Sequence, residues 1–289
     1  MTLMPLMPAA FLGHGSPMNA IETNRFTTAW RAFGASVPRP RAILVVSAHW
    51  YVNYTAVTAM PRPRTIHDFF GFPEKLFELE YPAPGSGAFA EEVAEIAKPT
   101  QVGLDHDSWG LDHGTWSVLL HAFPKAEIPV VQLAIDERKD FDFHLELGAK
   151  LAGLRQTGVL IVASGNVVHN LRALDWSKPE LGFDWAYRFN DAARELLMER
   201  PAEIDKLLGH PDYSKAAPTP DHLIPLLYLA GLTNAEHGKA QVLVDGQAFG
   251  SISMTSYTLG MAGAKSDGNG PPPERGPDAS GIPPEETNT

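Results

Sequence analysis

Two almost wholly apolar runs, RAILVVSAHW (41–50) and GVLIVAS (158–164), limit what this chain can fold into. A strand that is apolar on both faces has to be covered on both, which is the condition of a parallel sheet sandwiched between helices. IPVVQLAID (128–136) has the same character, and the shorter AAFLG (9–13) leads into a glycine-rich turn. Between these runs lie segments with helical spacing of apolar residues: NRFTTAWRAF, SGAFAEEVAEIAK (86–98), HGTWSVLLHAF (113–123), FHLELGAKLAGLR (143–155), NDAARELLMER (190–200) and HLIPLLYLAGLT (222–233). Strands that alternate with helices predict an α/β fold, a single domain with a mostly parallel central sheet and helices on both faces. QVLVDGQAFGSISMTSYTL (241–259) reads as an antiparallel edge hairpin that turns at Asp245-Gly246. No internal repeat interrupts the pattern.

The domain is expected to span residues 1–262. Its tail, 263–289, is expected to be disordered, because residues 265–289 hold ten prolines and glycines and no aromatic residue to bury. A chain of 289 residues builds a sizeable core without disulfides or a structural metal, so a bound metal is expected to be catalytic. The absence of cysteine excludes disulfides and thiolate chemistry. A net charge of -11 argues against nucleic acid, whose phosphates call for a basic surface. The longest apolar stretches fall short of the roughly 20 residues that span a bilayer. The N-terminal region, with Arg25 as its first basic residue, lacks the charged start of a secretory signal. The expectation is a cytoplasmic protein with neither membrane nor nucleic-acid partner, its oligomeric state unread.

Four of the eleven histidines lie just past apolar runs or at a helix start: His14 in AAFLGHGSPM, His49 in ILVVSAHWYV, His169 in VLIVASGNVVHN and His222 in APTPDHLIPL. Open α/β sheets bind ligands beyond the carboxyl ends of their strands, and neutral imidazole is the commonest protein ligand for metals. Glycines flank His14 and let the backbone approach a ligand closely. Ser47 and His49 share a strand face. Asp221 is expected to cap the last helix, with His222 in its first turn, where the helix dipole disfavours imidazolium. Taken singly, each also fits a solvent-facing loop, a core histidine bonded to a carbonyl, or a helix-start residue. Together they suggest one metal centre. WGLDHGTW and HDFFGFP surround His113 and the pair His67-Asp68 with aromatic residues, which suits a planar substrate bearing a few hydroxyls and equally suits packing onto the core. His106, His121, His144, His210 and His237 read as surface or structural.

The ordered set LGHGSPM, SAHW, HDFFGFP, YPAPGS, GLDHGTW, SGNVVHN, TPDHLIPL and GSISMTSY runs from residue 12 to 257. It resembles the class III (LigB-like) extradiol ring-cleavage dioxygenases, in particular the branch of 4,5-DOPA extradiol dioxygenases. The resemblance implies one divalent metal per chain on His14, His49 and His222, with His169 as a fourth ligand or as the acid–base residue. It implies catalytic roles for His169 and His113, and substrate contacts from His113, His67 and Asp68, the last two at the pocket mouth. The wider class holds iron by two histidines and a carboxylate. An all-histidine set suits Fe(II) for ring cleavage and also Zn(II). The implied partners are a small DOPA-like catechol and O2, and the implied product is a muconate semialdehyde type. Two other readings of the residues stay open at this stage, a zinc hydrolase using the same histidines and a non-enzymatic metal-binding or interaction module.

Overall fold

The computed structural model describes residues 6–261, so the expected tail lies outside the described residues. The strands are β1 (Ala9–Gly13), β2 (Ala42–Val52), β3 (Ala56–Thr58), β4 (Gly103–Asp105), β5 (Val130–Asp136), β6 (Val159–Gly165), β7 (Ala240–Val244), β8 (Gln247–Ala248), β9 (Ile252–Ser253) and β10 (Ser256–Leu259). Eight of them form one sheet in the order β4-β3-β5-β2-β6-β1-β10-β7. Its centre, β5-β2-β6-β1, is parallel throughout. At one edge β10 runs antiparallel to both β1 and β7; at the other, β3 runs antiparallel to β5.

The helices are α1 (Arg25–Ser36), α2 (Glu74–Phe77), α3 (Gly87–Ile96), α4 (His113–Ala122), α5 (Phe141–Lys150), α6 (Ala152–Gln156), α7 (Asp184–Glu199), α8 (Tyr213–Ala216) and α9 (Ile224–Ala235). Alternation along the strands divides the interior in two. Ile43, Val45, Leu160 and Val162 join α1 and α4 through Trp30, Phe33, Trp116 and Leu119. Leu44, Val46, Ile161 and Ala163 join α3, α5, α7 and α9 through Val93, Leu147, Phe189 and Leu227. The sheet is therefore covered on both faces, as its apolar strands require. No helix among the described residues is long and apolar enough to cross a membrane.

Two local expectations change, and two short strands escape the sequence. The antiparallel edge pair exists, but it does not turn at Asp245-Gly246. Val244 pairs with Ser256, and residues 245–255 leave the sheet to form the small β8–β9 pair. Thr255 Oγ1 donates to Asp245 Oδ1 at 2.8 Å and the Met254 amide donates to the Gly246 carbonyl, which closes the longer excursion. The three-residue strands β3 and β4 are too short for a periodic signal. The helix expected over 143–155 breaks into α5 and α6, and Arg155, near the end of α6, is buried.

Arg155 has no exposed side-chain surface, and it pairs with Glu236 just past α9. It also donates to the Met7 carbonyl at 2.5 Å and the Leu259 carbonyl at 3.2 Å, joining the start of β1 to the end of β10. Removing one partner of a buried pair leaves the other uncompensated, so Arg155→Met is expected to cost about 3–5 kcal/mol of stability. Denaturant unfolding measures it, and a loss within error of zero would contradict this account of the sheet's closure.

Candidate metal centre

The carboxyl ends of β1, β2 and β6 lie side by side, and the backbone there brings three chain segments together. The His14 amide donates to the Gly165 carbonyl at 3.2 Å, and the Asn166 amide donates to the His222 carbonyl at 2.9 Å. A Cβ at Gly165 would stand 2.3 Å from the His222 carbonyl oxygen, so this approach requires glycine. His49 extends from β2 into the same region, and His113 is the first residue of α4.

The polar groups beside each Nδ1 assign tautomers. Ser164 Oγ donates its one hydrogen to the Gly114 carbonyl at 2.5 Å. It must then accept from His14 Nδ1, 2.9 Å away, which leaves Nε2 of His14 with a lone pair. His49 Nδ1 lies 3.2 Å from Asp68 Oδ2, and a carboxylate beside Nδ1 favours the proton on that nitrogen, leaving the lone pair on Nε2. His14 Nε2 and His49 Nε2 are 3.1 Å apart. Two lone pairs at that distance repel unless a cation stands between them, and nitrogens bound at about 2.0–2.1 Å to one ion are ~3.0–3.4 Å apart. The donor set therefore fits a metal. His222 follows the same rule, its Nδ1 held by Asp221 Oδ2 so that Nε2 remains free. Carboxylates on the outer nitrogen of ligand imidazoles fix orientation in this way.

Burial and the neighbouring imidazoles hold His14 and His49 well below the ordinary histidine range, so both rings stay neutral, as ligation requires. Burial pushes the Asp68 carboxyl up, but His113 and His49 more than offset this and leave it below the usual carboxylate range. Asp221 is lowered in the same way by His222 against its own burial. Asp112, fully buried at the start of α4, is pushed up to about 6 by burial and by Asp68, against hydrogen bonds from Ser47 and Gln132. Ser47 Oγ, at 2.7 Å, and the Thr115 amide, at 3.1 Å, both donate to Asp112 Oδ1, which ties β2 to α4 beside His49. At Gly114 a Cβ would meet Ser47 Oγ at 2.5 Å and His49 Cδ2 at 2.8 Å.

The expected residues fall into place unevenly. His14, His49 and His113 form the tightest group, their ligand-type atoms within 4.8 Å of one another. The His222 ring centre lies 5.2 Å from that of His14 and 5.0 Å from that of His49. His169 stacks on His222, ring centres 3.5 Å apart and planes 5° from parallel. An ion in the plane of one such ring is well out of the plane of the other. The His169 amide donates to the Ala216 carbonyl at 2.8 Å, while its side chain makes no hydrogen bond among the described residues. Asp68, expected at the pocket mouth, is instead buried against His49 and His113. His67 donates to the Leu79 carbonyl at 2.9 Å and faces Phe69, Phe77 and Trp116 rather than the histidine group. Phe69 stands edge-on to His113 at 5.5 Å. Asp221 does not cap the last helix: α9 starts at Ile224 without a side-chain cap, because the carboxylate is taken up by His222.

A family model described as the catalytic LigB subunit of aromatic ring-opening dioxygenase matches residues 4–260. The chain is 47% identical over 258 residues to a 4,5-DOPA dioxygenase extradiol of Escherichia coli strain K12, covering 88% of this chain and 95% of that one. A protein of the same name from Beta vulgaris is 34% identical over 256 residues, covering 86% and 94%. A crystal structure of an uncharacterized Escherichia coli K12 protein superposes with a TM-score of 0.76 at 43% identity, covering 88% of this chain and 99% of that one.

Proposed function

The chain belongs to the family of LigB catalytic subunits of aromatic ring-opening dioxygenases, and from that premise we propose that it opens the ring of a DOPA-like catechol with O2. As a member it is an extradiol ring-cleavage dioxygenase; the catechol, the product type and the metal are the finer parts of the reading. The observation that carries the metal is the pair of lone-pair nitrogens, His14 Nε2 and His49 Nε2, 3.1 Å apart at the carboxyl end of a parallel sheet, while the choice of catechol rests on the names of the relatives.

His14, His49 and His222 hold one divalent ion in this reading. With metal–nitrogen bonds of about 2.0–2.1 Å each ring centre is ~3.2 Å from the ion, so rings set ~90–110° apart have centres ~4.6–5.3 Å apart. The three centre-to-centre distances are 5.0, 5.2 and 5.0 Å. Bound Fe(II) supplies affinity for the catechol oxygens and for O2, and the redox capacity that zinc lacks. His169 stands beside His222 with an uncommitted side chain, takes a proton from a catechol hydroxyl and returns it as the ring opens. His113, edge-on to Phe69, hydrogen-bonds the substrate, and the aromatic side chains of Phe69 and Phe77 receive the ring. The product is a muconate semialdehyde type.

Protein loaded anaerobically with Fe(II), then given DOPA and other catechols with air, is expected to consume one O2 per catechol and form a yellow ring-opened product. Zinc-loaded protein is expected to do neither. Full iron occupancy without oxygen uptake on any catechol would refute the reading, and zinc-supported turnover without oxygen would favour a hydrolase.

A further inference from the structure

In the aromatic segment between β3 and α2, Asp68 turns inward, its side chain only 8% exposed. One backbone N–H and two imidazole nitrogens converge on its carboxylate. Oδ1 accepts from the His113 amide at 2.9 Å, while Oδ2 lies 3.2 Å from His49 Nδ1 and 3.1 Å from His113 Nδ1. We propose that Asp68 is a positioning residue that locks His49 and His113 together in their Nδ1–H tautomers, so that both rings present Nε2 lone pairs to the centre. The inference rests on the metal-site reading above only for its consequence, metal retention; the tautomers themselves follow from one carboxylate oxygen lying within 3.2 Å of both Nδ1 atoms.

A carboxylate meets this demand because both its oxygens are acceptors, and one of them has lone pairs for two donors. An amide of the same shape does not, since it offers one acceptor and one donor group. Set against three N–H groups, it turns its own N–H2 toward at least one of them. A backbone amide cannot change in response, but an imidazole can, by moving its proton to Nε2. That move removes the lone pair a metal needs.

The competing explanation is that Asp68 merely caps α4. Asp112 already does so, accepting from the Thr115 amide. The loop is also anchored without Asp68: the Ile66 amide donates to the Leu111 carbonyl at 2.8 Å, and Trp116 Nε1 donates to the Ile66 carbonyl at 2.8 Å. A substitution at 68 therefore leaves the loop's main supports in place. What it changes is the joint orientation of two rings whose centres lie 3.9 Å apart.

The test uses metal-free full-length protein labelled with ¹⁵N-histidine, with long-range ¹H–¹⁵N spectra reporting the tautomer of each ring. Signals of His49 and His113 are assigned from His49→Gln and His113→Gln. Both rings are expected as Nδ1–H in the wild type, and at least one is expected to move to Nε2–H in Asp68→Asn. Affinity for Co(II), measured by chelator competition, is expected to fall about 10–100-fold in the variant, the usual effect of losing such an outer partner, with little change in the unfolding midpoint of the metal-free protein. Wild-type tautomers and affinity in Asp68→Asn would overturn the proposal. An Nε2–H form of either ring in the wild type would overturn it with no variant needed. Neither readout involves substrate or oxygen, so failure here and failure of the dioxygenase reading are separate results.

Discussion

Replacing His169 with alanine is expected to lower catechol turnover by about 10²–10⁴-fold, the usual contribution of general acid–base catalysis, while the metal stays bound. The geometry separates the two roles left open by the sequence. A ligand needs the ion close to its own ring plane, and with His169 parallel to His222 at 3.5 Å an ion held in the plane of His222 would lie out of the plane of His169. The other imidazoles that surround the centre each have Nδ1 within 3.2 Å of a fixed polar group, Ser164, Asp68 or Asp221. His169 has none among the described residues, which suits a group that must gain and lose a proton. Burial, followed by the charge of His222, lowers its pKa well below 6.5. Its neutral, proton-accepting form therefore persists below the pH at which an ordinary histidine is protonated. The acidic limb of the wild-type kcat/KM profile is expected below pH 6.5 and is expected to vanish in His169→Ala. Elemental analysis and an oxygen electrode on the same sample provide the check, and loss of metal in step with loss of turnover would make His169 a ligand instead.

The parts of this molecule that could be read in its sequence are those encoded by local pattern. Continuous apolar runs placed β2, β5 and β6 inside a sheet with two covered faces, and the turn residues after β1 and β6 put His14 and His169 at its carboxyl end. The apex of the β7–β10 pair could not be read, because Asp245-Gly246 signals a tight turn locally while register is decided by Val244 meeting Ser256. The position of Asp221 failed for a related reason. Asp before a helix is a cap signal, and the neighbouring imidazole outcompetes the helix amides for the carboxylate. Least legible was the pairing of His49 with His113, 64 positions apart in the chain. It depends on Ser47 reaching Asp112 and on Asp68 reaching both rings, contacts that no periodicity expresses. The clue present in the sequence is the presence of acidic residues beside histidines, in His67-Asp68, Asp112-His113 and Asp221-His222.

Alanine at His14, His49 or His222 is expected to weaken metal binding by more than about 100-fold, beyond the range set by outer partners, and to reduce ring cleavage to background. His113→Asn is expected to retain metal to within about tenfold of wild type and to lower kcat/KM about 10–100-fold, the value of one hydrogen bond to a charged group. The contrast is sharp because proximity alone points elsewhere, since His113 belongs to the tightest group of ligand-type atoms and His222 does not. Ring geometry weighs against proximity. His14, His49 and His222 make a nearly equilateral triangle of ring centres, whereas His113 lies 3.9 Å from His49 and 5.7 Å from His14. Centres 3.9 Å apart would set two ligands at only ~75° on one ion, tighter than tetrahedral or octahedral sites favour. His113 also shares Asp68 Oδ2 with His49, which pulls the two rings together for a reason that needs no metal. Metal content of the four purified variants decides the matter. If His113→Asn comes out empty and His222→Ala comes out loaded, the ligands are His14, His49 and His113, and His222 with its stacked partner His169 becomes the proton-handling side of the site.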